Sequence, residues 1–386
     1  MVESIMSSNV TAKSATVGST VWCAGQHCPE LDGVRGLAIL MVTLYRFMKE
    51  VDPTAHPILA IVHRFAPIGE RGVDLFFVLS GFLITGILLQ TKSRDGYFRK
   101  FFIRRSLRIF PLYFSALIFC LWIIPSFYSP TPFDKPRAEQ VYLWTYMTNV
   151  RMSWLNEWSF GPLDHFWSLA VEEHFYLVWP FVVFFLSNKL LLRLSVAIII
   201  LVGIARMIAS THREFDVAVD VLTVFRCDSL CFGALLAVIL ASAVEPKRIE
   251  VVARWTLPPL TLSLIGIVAI GSRLGTLPSS LCPAFWMIAL AILLSRPPTH
   301  WLSKIARVGF LSWLGKYSYG MYVVQLPLVS LLTTQMVTGF LANVIPSPLV
   351  VFLAYILFMF VMTMVLGYLS FHLLEKHFLK LKPKWS

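Results

Sequence analysis

Charge is scarce in this chain: Asp, Glu, Lys and Arg together make 14% of its 386 residues, against 57% apolar. A soluble domain carries about 25% charge. With a mean hydropathy of +0.72, the chain is not built for water as its main solvent. Acid is scarcer than base, 21 residues against 33, for a net charge of +12. A nucleic-acid reader with that surplus gathers its cations on one solvated face. Here they sit in short runs between apolar stretches, the pattern that orients a membrane protein, and no nucleic-acid partner is expected. Cysteine is sparse as well. Cys23, Cys28, Cys120, Cys227, Cys231 and Cys282 show neither metal-ligand spacing nor the density of a disulfide scaffold. Cys23 and Cys28 with His27 between them come nearest to a metal cluster, while Cys227 and Cys231, one helical turn apart, suit apolar packing; no metal is expected. The first 20 residues lack a charged stretch followed by an apolar run, so no cleaved signal peptide is read there. No period of 20 to 50 residues repeats and the halves do not mirror each other, which weighs against a transporter.

What is abundant is apolar sequence in long runs. A hydrocarbon core about 30 Å thick is crossed by about 20 helical residues. Runs of that order, bounded by charge, proline or glycine, fall near 32–50, 71–91, 103–125, 166–186, 190–209, 219–243, 255–271, 281–295, 312–335 and 348–372. The expectation is an all-α, polytopic integral membrane protein with about ten transmembrane helices. The stretch 139–150 is too short to span and reads as interfacial or re-entrant. Between the second and third runs lie Lys92, Arg94, Arg99, Lys100, Arg104, Arg105 and Arg108, which the positive-inside rule places in the cytoplasm. Alternation from there brings Lys189 and Arg193, Lys247 and Arg248, Lys304 and Arg307, and the lysines from Lys376 onward to the same side, together with both termini. Asp52, Glu70, Asp134, Glu139, Glu157, Asp164, Glu214 and Asp216 fall opposite. The expected organisation is a flexible leader (1–30), one membrane domain (31–376) with a long outer loop at 126–165, and a basic tail (377–386).

Ionisable side chains within lipid cost about 2.5–3.5 kcal/mol each on insertion scales and mark functional sites by default. Arg35 and Arg46 are separated by about three helical turns, or about 16 Å on one face. Arg35 has Asp32 to neutralise it, and Arg46 has the alternative of snorkelling to the outer headgroups. Asp74 lies near the start of GVDLFFVLSGFLIT; Gly72, Ser80, Gly81 and Gly86 mark close helix contact, and Ser80 suits that packing better than chemistry. The densest polar cluster, LDHFWSLAVEEHFYLVWP (163–180), holds His165, Glu172, Glu173 and His174. His165, Glu172 and Tyr176 share a face if the helix begins early enough; an imidazole oriented by a carboxylate is the arrangement general-base catalysis uses. The structural alternative pairs these glutamates with Arg35 or Arg226 to lock helices together. Asp228, two residues after Arg226, is placed to join that network. RRSLRIFPLY (104–113) sets Arg104, Arg105 and Arg108 near Tyr113 at a membrane surface. Guanidinium grips phosphate in bidentate fashion, and lipid headgroups equally well.

Taken in order, LDGVRGLAIL (31–40), GVDLFFVLSGFLIT (72–85), RRSLRIFPLY (104–113), HFWSLAVEEHFYLVWP (165–180), SYGMYVVQLP (318–327) and LLEKHFLKL (373–381) resemble the acyltransferase-3 family of membrane acyltransferases, which includes bacterial O-antigen and other surface-glycan O-acetylases. The resemblance covers nearly all of the chain after residue 30. It implies a ten-helix core in the bacterial inner membrane. That core takes an acyl group, usually acetyl, from acetyl-CoA on the cytoplasmic face and delivers it to a hydroxyl of an extracytoplasmic carbohydrate or glycolipid. CoA is then a co-substrate, no resident cofactor is implied, and lipids surround the helices. On this basis His165, Glu172, Glu173 and Arg46 are the catalytic candidates. Arg35, Asp74, Ser80, Arg104, Arg105, Arg108, Tyr113, His174 and Asp228 are the substrate-binding candidates. The basic 92–108 segment would face CoA phosphates and the acidic, aromatic 126–165 region a sugar.

The chain departs from the family pattern at three positions. Arg46 stands where an Arg followed by ten residues and a His would place the His, Gln325 replaces the His of SYxxYxxHxP, and His377 replaces the Pro after EK. Guanidinium stays protonated and cannot serve as a base. Either His165 or His174 with Glu172 or Glu173 supplies one, or the acceptor needs none, or the protein is an inactive relative acting as scaffold or sensor. A lipid or glycan transporter is the remaining alternative.

Overall fold

The computed structural model describes residues 28–50, 52–127, 130–242, 246–270 and 277–381, without the side chains of 246, 247, 249, 253, 264–270 and 277–280. Most of the expected leader, including Cys23 and His27, and residues 382–386 of the tail lie outside the described residues. Among the described residues all regular structure is helical. The long helices are α1 (Pro29–Lys49), α2 (Gly72–Thr91), α3 (Tyr97–Ile118), α4 (Phe166–Phe185), α5 (Asn188–Ala209), α6 (Thr223–Ala241), α7 (Pro246–Ile270), α8 (Leu277–Ser295), α9 (Gly309–Leu331) and α10 (Pro348–Ser370).

The expectation of about ten crossings is corrected by the structure. Among the described residues, six segments are long and apolar enough to cross a bilayer: Pro57–Thr91, Tyr97–Phe127, Phe166–Phe185, Asn188–Ala209, Arg213–Ala241 and Pro348–Leu379. Counting α9 with the helix Thr334–Ala342, joined to it at a 65° bend, makes seven. The reasons are physical. The run at 32–50 does form α1, but Glu30, Asp32, Arg35, Arg46 and Lys49 load that helix with charge, and lipid tolerates little of it. The apolar helix Leu281–Ser295 is shorter than the hydrocarbon core. The run at 312–335 is broken by the 65° bend. The run at 255–271 reaches beyond the described residues.

Local signals set the helix ends. Gly96 adopts φ 73 just before α3, a left-handed conformation that costs glycine nothing. Ser187 caps α5 by accepting from the Leu190 amide, and Pro348 occupies the first turn of α10. The 139–150 stretch belongs to two short helices, Gln140–Trp144 and Thr148–Leu155. Asn156, left-handed at φ 51, ends the second. Its amide donates to the Arg213 carbonyl at 2.8 Å and its carbonyl accepts from the Val217 amide at 2.9 Å, tying the outer loop to the segment before α6.

Two close helix pairs position the site. A Cβ on Gly36 of α1 would stand 1.9 Å from the Leu311 carbonyl oxygen of α9, and one on Gly81 of α2 would stand 1.9 Å from the Leu230 carbonyl oxygen of α6. Only glycine permits backbones to approach so closely. Arg35 and Ser80 are the residues next to these two glycines, so each is held at a fixed depth in the bundle. The main apolar core surrounds them, running through Phe77, Leu112, Phe166, Trp179, Leu230 and Met321.

Candidate active site

α1, α2, α3, α4 and α9 enclose a central cavity of about 120 Å³. Arg35 enters from α1, Ser80 from α2, Arg105 and Arg108 from α3, Glu172, Glu173 and Tyr176 from α4, and Tyr319 and Tyr322 from α9. Glu172 and Tyr176 lie one turn apart on α4, so they share a face. The Tyr176 hydroxyl donates to Glu172 Oε2 at 3.1 Å, and Ser80 Oγ is hydrogen-bonded to that same hydroxyl. Glu173 Oε1 is buried with no hydrogen-bond partner. Arg35 Nη1 pairs with Asp32 at 3.0 Å. The Arg105 guanidinium stands 5.5 Å from the centre of the Tyr176 ring. Among the described residues neither Arg105 nor Arg108 is in an ion pair.

Arg105 and Arg108 also line a second cavity, of about 540 Å³, together with Arg94, Lys100, Arg104, Tyr97 and Phe101. A third, of about 510 Å³, collects Arg46, Lys49, Glu50, Glu70, Trp158, Asp164 and Trp167. Trp167 of the third cavity and Ser168 of the central one are neighbours on α4. Ser168 Oγ and the Tyr322 hydroxyl are 2.5 Å apart, and Tyr322 also donates to the His165 carbonyl at 3.0 Å. Burial pushes the Asp164 carboxyl up to about 6, although it accepts from the Phe160 amide and feels the Arg46 charge.

The structure separates the candidates into groups. Arg35, Ser80, Arg105, Arg108, Glu172 and Glu173 meet in the central cavity. Arg104 lines only the basic cavity and Arg46 only the third. His165 precedes α4 rather than lying on the Glu172 face. It is fully buried, with Nε2 3.2 Å from the Val323 carbonyl and Nδ1 unpartnered, and burial together with the Arg46 charge holds its imidazole down at about 3. Among the described residues no carboxylate bonds to it. His174 Nδ1 meets Thr223 Oγ1 at 2.7 Å, which also takes the Asn149 amide, so His174 serves the outer-loop packing. The Tyr113 hydroxyl donates to the Leu143 carbonyl at 2.7 Å, well away from any surface. Asp74 pairs with Arg226 at 2.6 Å and faces Arg71 at 3.6 Å, while Asp228 pairs with Arg206 at 2.7 Å.

The structural alternative, Glu172 or Glu173 paired with Arg35 or Arg226, gives way to other pairs: Arg35 with Asp32 and Arg226 with Asp74. Sequence reasoning passed over Arg206, the single cation of the apolar stretch LLLRLSVAIIILVGIARMIA that is fully buried. Its signal was present, since a lone arginine deep in such a run needs a buried partner. It also left out Tyr322, Tyr319 and Ser168, which carry no charge to announce them.

Long apolar helices around a central cavity lined by guanidinium groups and carboxylates define the class as a helical membrane protein with a polar interior site. The chain belongs to the acyltransferase-3 family of membrane acyltransferases, whose model, described as an acyltransferase domain, matches residues 29–371. It is similar to a peptidoglycan O-acetyltransferase of Listeria monocytogenes, at 29% identity over 80% of this chain and 50% of that protein. It is also similar to a Bacillus subtilis protein provisionally designated a peptidoglycan O-acetyltransferase, at 28% identity over 91% of this chain and 55% of the relative. A Staphylococcus aureus protein with a provisional O-acetyltransferase designation is 25% identical over 84% of this chain and 54% of its own length. The chain thus spans about half the length of these relatives. No solved structure matches it.

Proposed function

We propose that this protein transfers an acyl group, in the first instance acetyl, from acetyl-CoA to a hydroxyl of a carbohydrate or glycolipid on the opposite side of the inner membrane. The observation that carries this reading is the sharing of Arg105 and Arg108 between the basic cavity and the central one. A polyanionic donor seated in the first presents its far end to the carboxylates of the second. Arg94, Lys100 and Arg104 suit the donor's phosphates as bidentate or point-charge partners, and Tyr97 and Phe101 offer aromatic faces to its base. The positive-inside rule puts that cavity in the cytoplasm.

In the central cavity Arg35 and Arg105 are the cations available to a developing oxyanion. Glu172 and Glu173 are the groups available to take a proton. The third cavity, with Trp158 and Trp167 beside Arg46 and Asp164, is the acceptor side. Its aromatic faces suit a sugar ring, and the Listeria relative's name points to a cell-wall glycan. His165, fully buried with Nδ1 unpartnered, lines none of the three cavities but adjoins Asp164 of that one in the chain; it is the histidine candidate for the base that Arg46 displaces, and a weak one while its imidazole is held down at about 3. Asp74, Asp228, His174 and Tyr113 then act by holding the helices that carry the site.

One observation favours a second reading: a guanidinium at position 46 cannot take a proton, which fits an inactive relative. Thioester cleavage by membranes containing wild type, Arg35→Ala, Arg46→His or His165→Ala separates the two. Wild-type cleavage that disappears in Arg35→Ala supports the acyltransferase. Cleavage only in Arg46→His identifies an inactive centre. Surface glycans that are chemically identical with and without the gene, while their amount at the surface changes, point instead to transport.

A further inference from the structure

We propose that Ser80 is an acyl carrier, so that the acyl group rests on its Oγ as an ester between donor and acceptor. This deepens the acyltransfer reading above and rests on it. Ser80 lines the central cavity, and its Oγ is hydrogen-bonded to the Tyr176 hydroxyl, which in turn donates to Glu172 Oε2 at 3.1 Å. A hydroxyl nucleophile, a proton relay and a carboxylate thus stand in series, the arrangement of an activated nucleophile.

Packing alone does not explain it. Ser195, Ser295 and Thr363 satisfy themselves on the carbonyl one turn back, at Leu191, Ala291 and Met359, while Thr43 and Ser168 reach across to Gln325 and Tyr322, neither of them a carboxylate. Ser80 instead reaches across to α4, toward a carboxylate. Gly81, jammed against the Leu230 carbonyl, fixes its place. The central cavity, at about 120 Å³, is also several times smaller than the cavities of about 540 and 510 Å³ beside it. Two polar substrates that each fill a large cavity need not share the small one if the acyl group waits there between them.

The chemistry balances within the site. Ser80 Oγ attacks the thioester carbon, and the new C–O bond replaces the C–S bond. The Ser80 proton passes to Tyr176 as the Tyr176 proton passes to Glu172, and the same pair then returns a proton to sulfur, so CoA leaves as the thiol. In the second half the acceptor hydroxyl attacks the ester carbon, and its proton travels back to Ser80 Oγ. Arg105 supplies positive charge beside Tyr176 in both halves.

The test uses the full chain in nanodiscs, given acetyl-CoA with a radiolabelled acetyl group in a single turnover without glycan acceptor, then quenched in acid and mapped by peptide mass spectrometry. The expected result is one acetyl group on the peptide containing Ser80. Ser80→Ala abolishes that label and slows CoA release by about 100-fold or more. In Ser80→Cys the label persists as a thioester that neutral hydroxylamine removes, whereas the wild-type ester resists it. Tyr176→Phe leaves the label at Ser80 and slows its appearance by about 100-fold. Wild type that releases CoA with no label, or with label elsewhere, overturns the carrier. Full CoA release by a folded Ser80→Ala overturns it as well. If Ser80→Ala fails to fold, the wild-type map decides alone. Wild type that neither releases CoA nor takes label defeats the acyltransfer reading, and the carrier with it.

Discussion

Two groups of buried charge lie side by side in this bundle and behave differently. Between α2, α5 and α6, Arg226 pairs with Asp74 and Arg206 with Asp228, at 2.6 and 2.7 Å, with all four side chains at most 5% exposed. Arg226 also lies over the rings of Phe77 and Trp167, at 5.6 and 5.5 Å. There the charges answer one another. In the central cavity Arg35 pairs with Asp32, but among the described residues Arg105 and Arg108 are in no ion pair, Glu173 has an unpartnered oxygen, and Glu172 is bonded by hydroxyl groups rather than by a cation. There the charges answer open space. Intramembrane charge marks both regions equally in the sequence; what separates structure-holding charge from substrate-facing charge is whether its partner comes from the protein.

That contrast can be broken or sharpened by substitution. The largest expected effect is in the cavity: Glu172→Gln lowers the rate of thioester cleavage by about 100- to 10,000-fold and leaves the unfolding midpoint in detergent nearly unchanged. A midpoint that falls along with the rate would place Glu172 among the structural charges. Next is Asp228→Ala, which removes the carboxylate that neutralises buried Arg206 and destabilises the fold by about 3–5 kcal/mol in chemical unfolding. The double change Arg206→Met with Asp228→Leu recovers most of that loss, because a well-packed apolar pair replaces a buried ion pair at little cost. Failure of the double change to recover stability would mean that this pair does more than hold helices.

How much of this the sequence makes legible follows the same division. Helices at nearly every expected run, the polar cluster around Glu172 and the basic segment before α3 follow from apolar run length and charge placement alone. The number of crossings does not, because α1 is helical and yet too charged, and α9 bends. Arg35 and Arg105 could be placed in a shared site only through packing at Gly36 and along α3. Those contacts join residues far apart in the chain, and a period along one helix does not report them. The pairing of Asp228 with Arg206 rather than with the nearer Arg226 is likewise a matter of which helix faces which. His165 and Glu172, one face on paper, part company because α4 starts at Phe166 and the imidazole turns to the Val323 carbonyl.

A smaller effect is expected at the rim of the cavity. Arg108→Gln removes one charge-assisted contact and raises the KM for acetyl-CoA by about 10- to 150-fold, equivalent to about 1.5–3 kcal/mol, with a lesser change in kcat; an unchanged KM would take Arg108 out of the donor site. The smallest concerns pH. The Asp164 carboxyl, pushed up by burial from 3.8 to about 6, binds its proton more tightly folded than unfolded. Its contribution therefore favours folding at low pH and is lost as pH rises through about 6. Wild type should lose more thermal stability than Asp164→Asn between about pH 4 and about pH 7, and parallel curves would show that Asp164 does not titrate there.

The most direct measurement is acetyl-CoA affinity in nanodiscs for three proteins: wild type, Arg105→Gln with Arg108→Gln, and Arg206→Met with Asp228→Leu. The account predicts that the cavity double variant binds about 100-fold more weakly or worse, while the ion-pair double variant binds as wild type does. Equal affinity in all three, or loss only in the ion-pair variant, would contradict it.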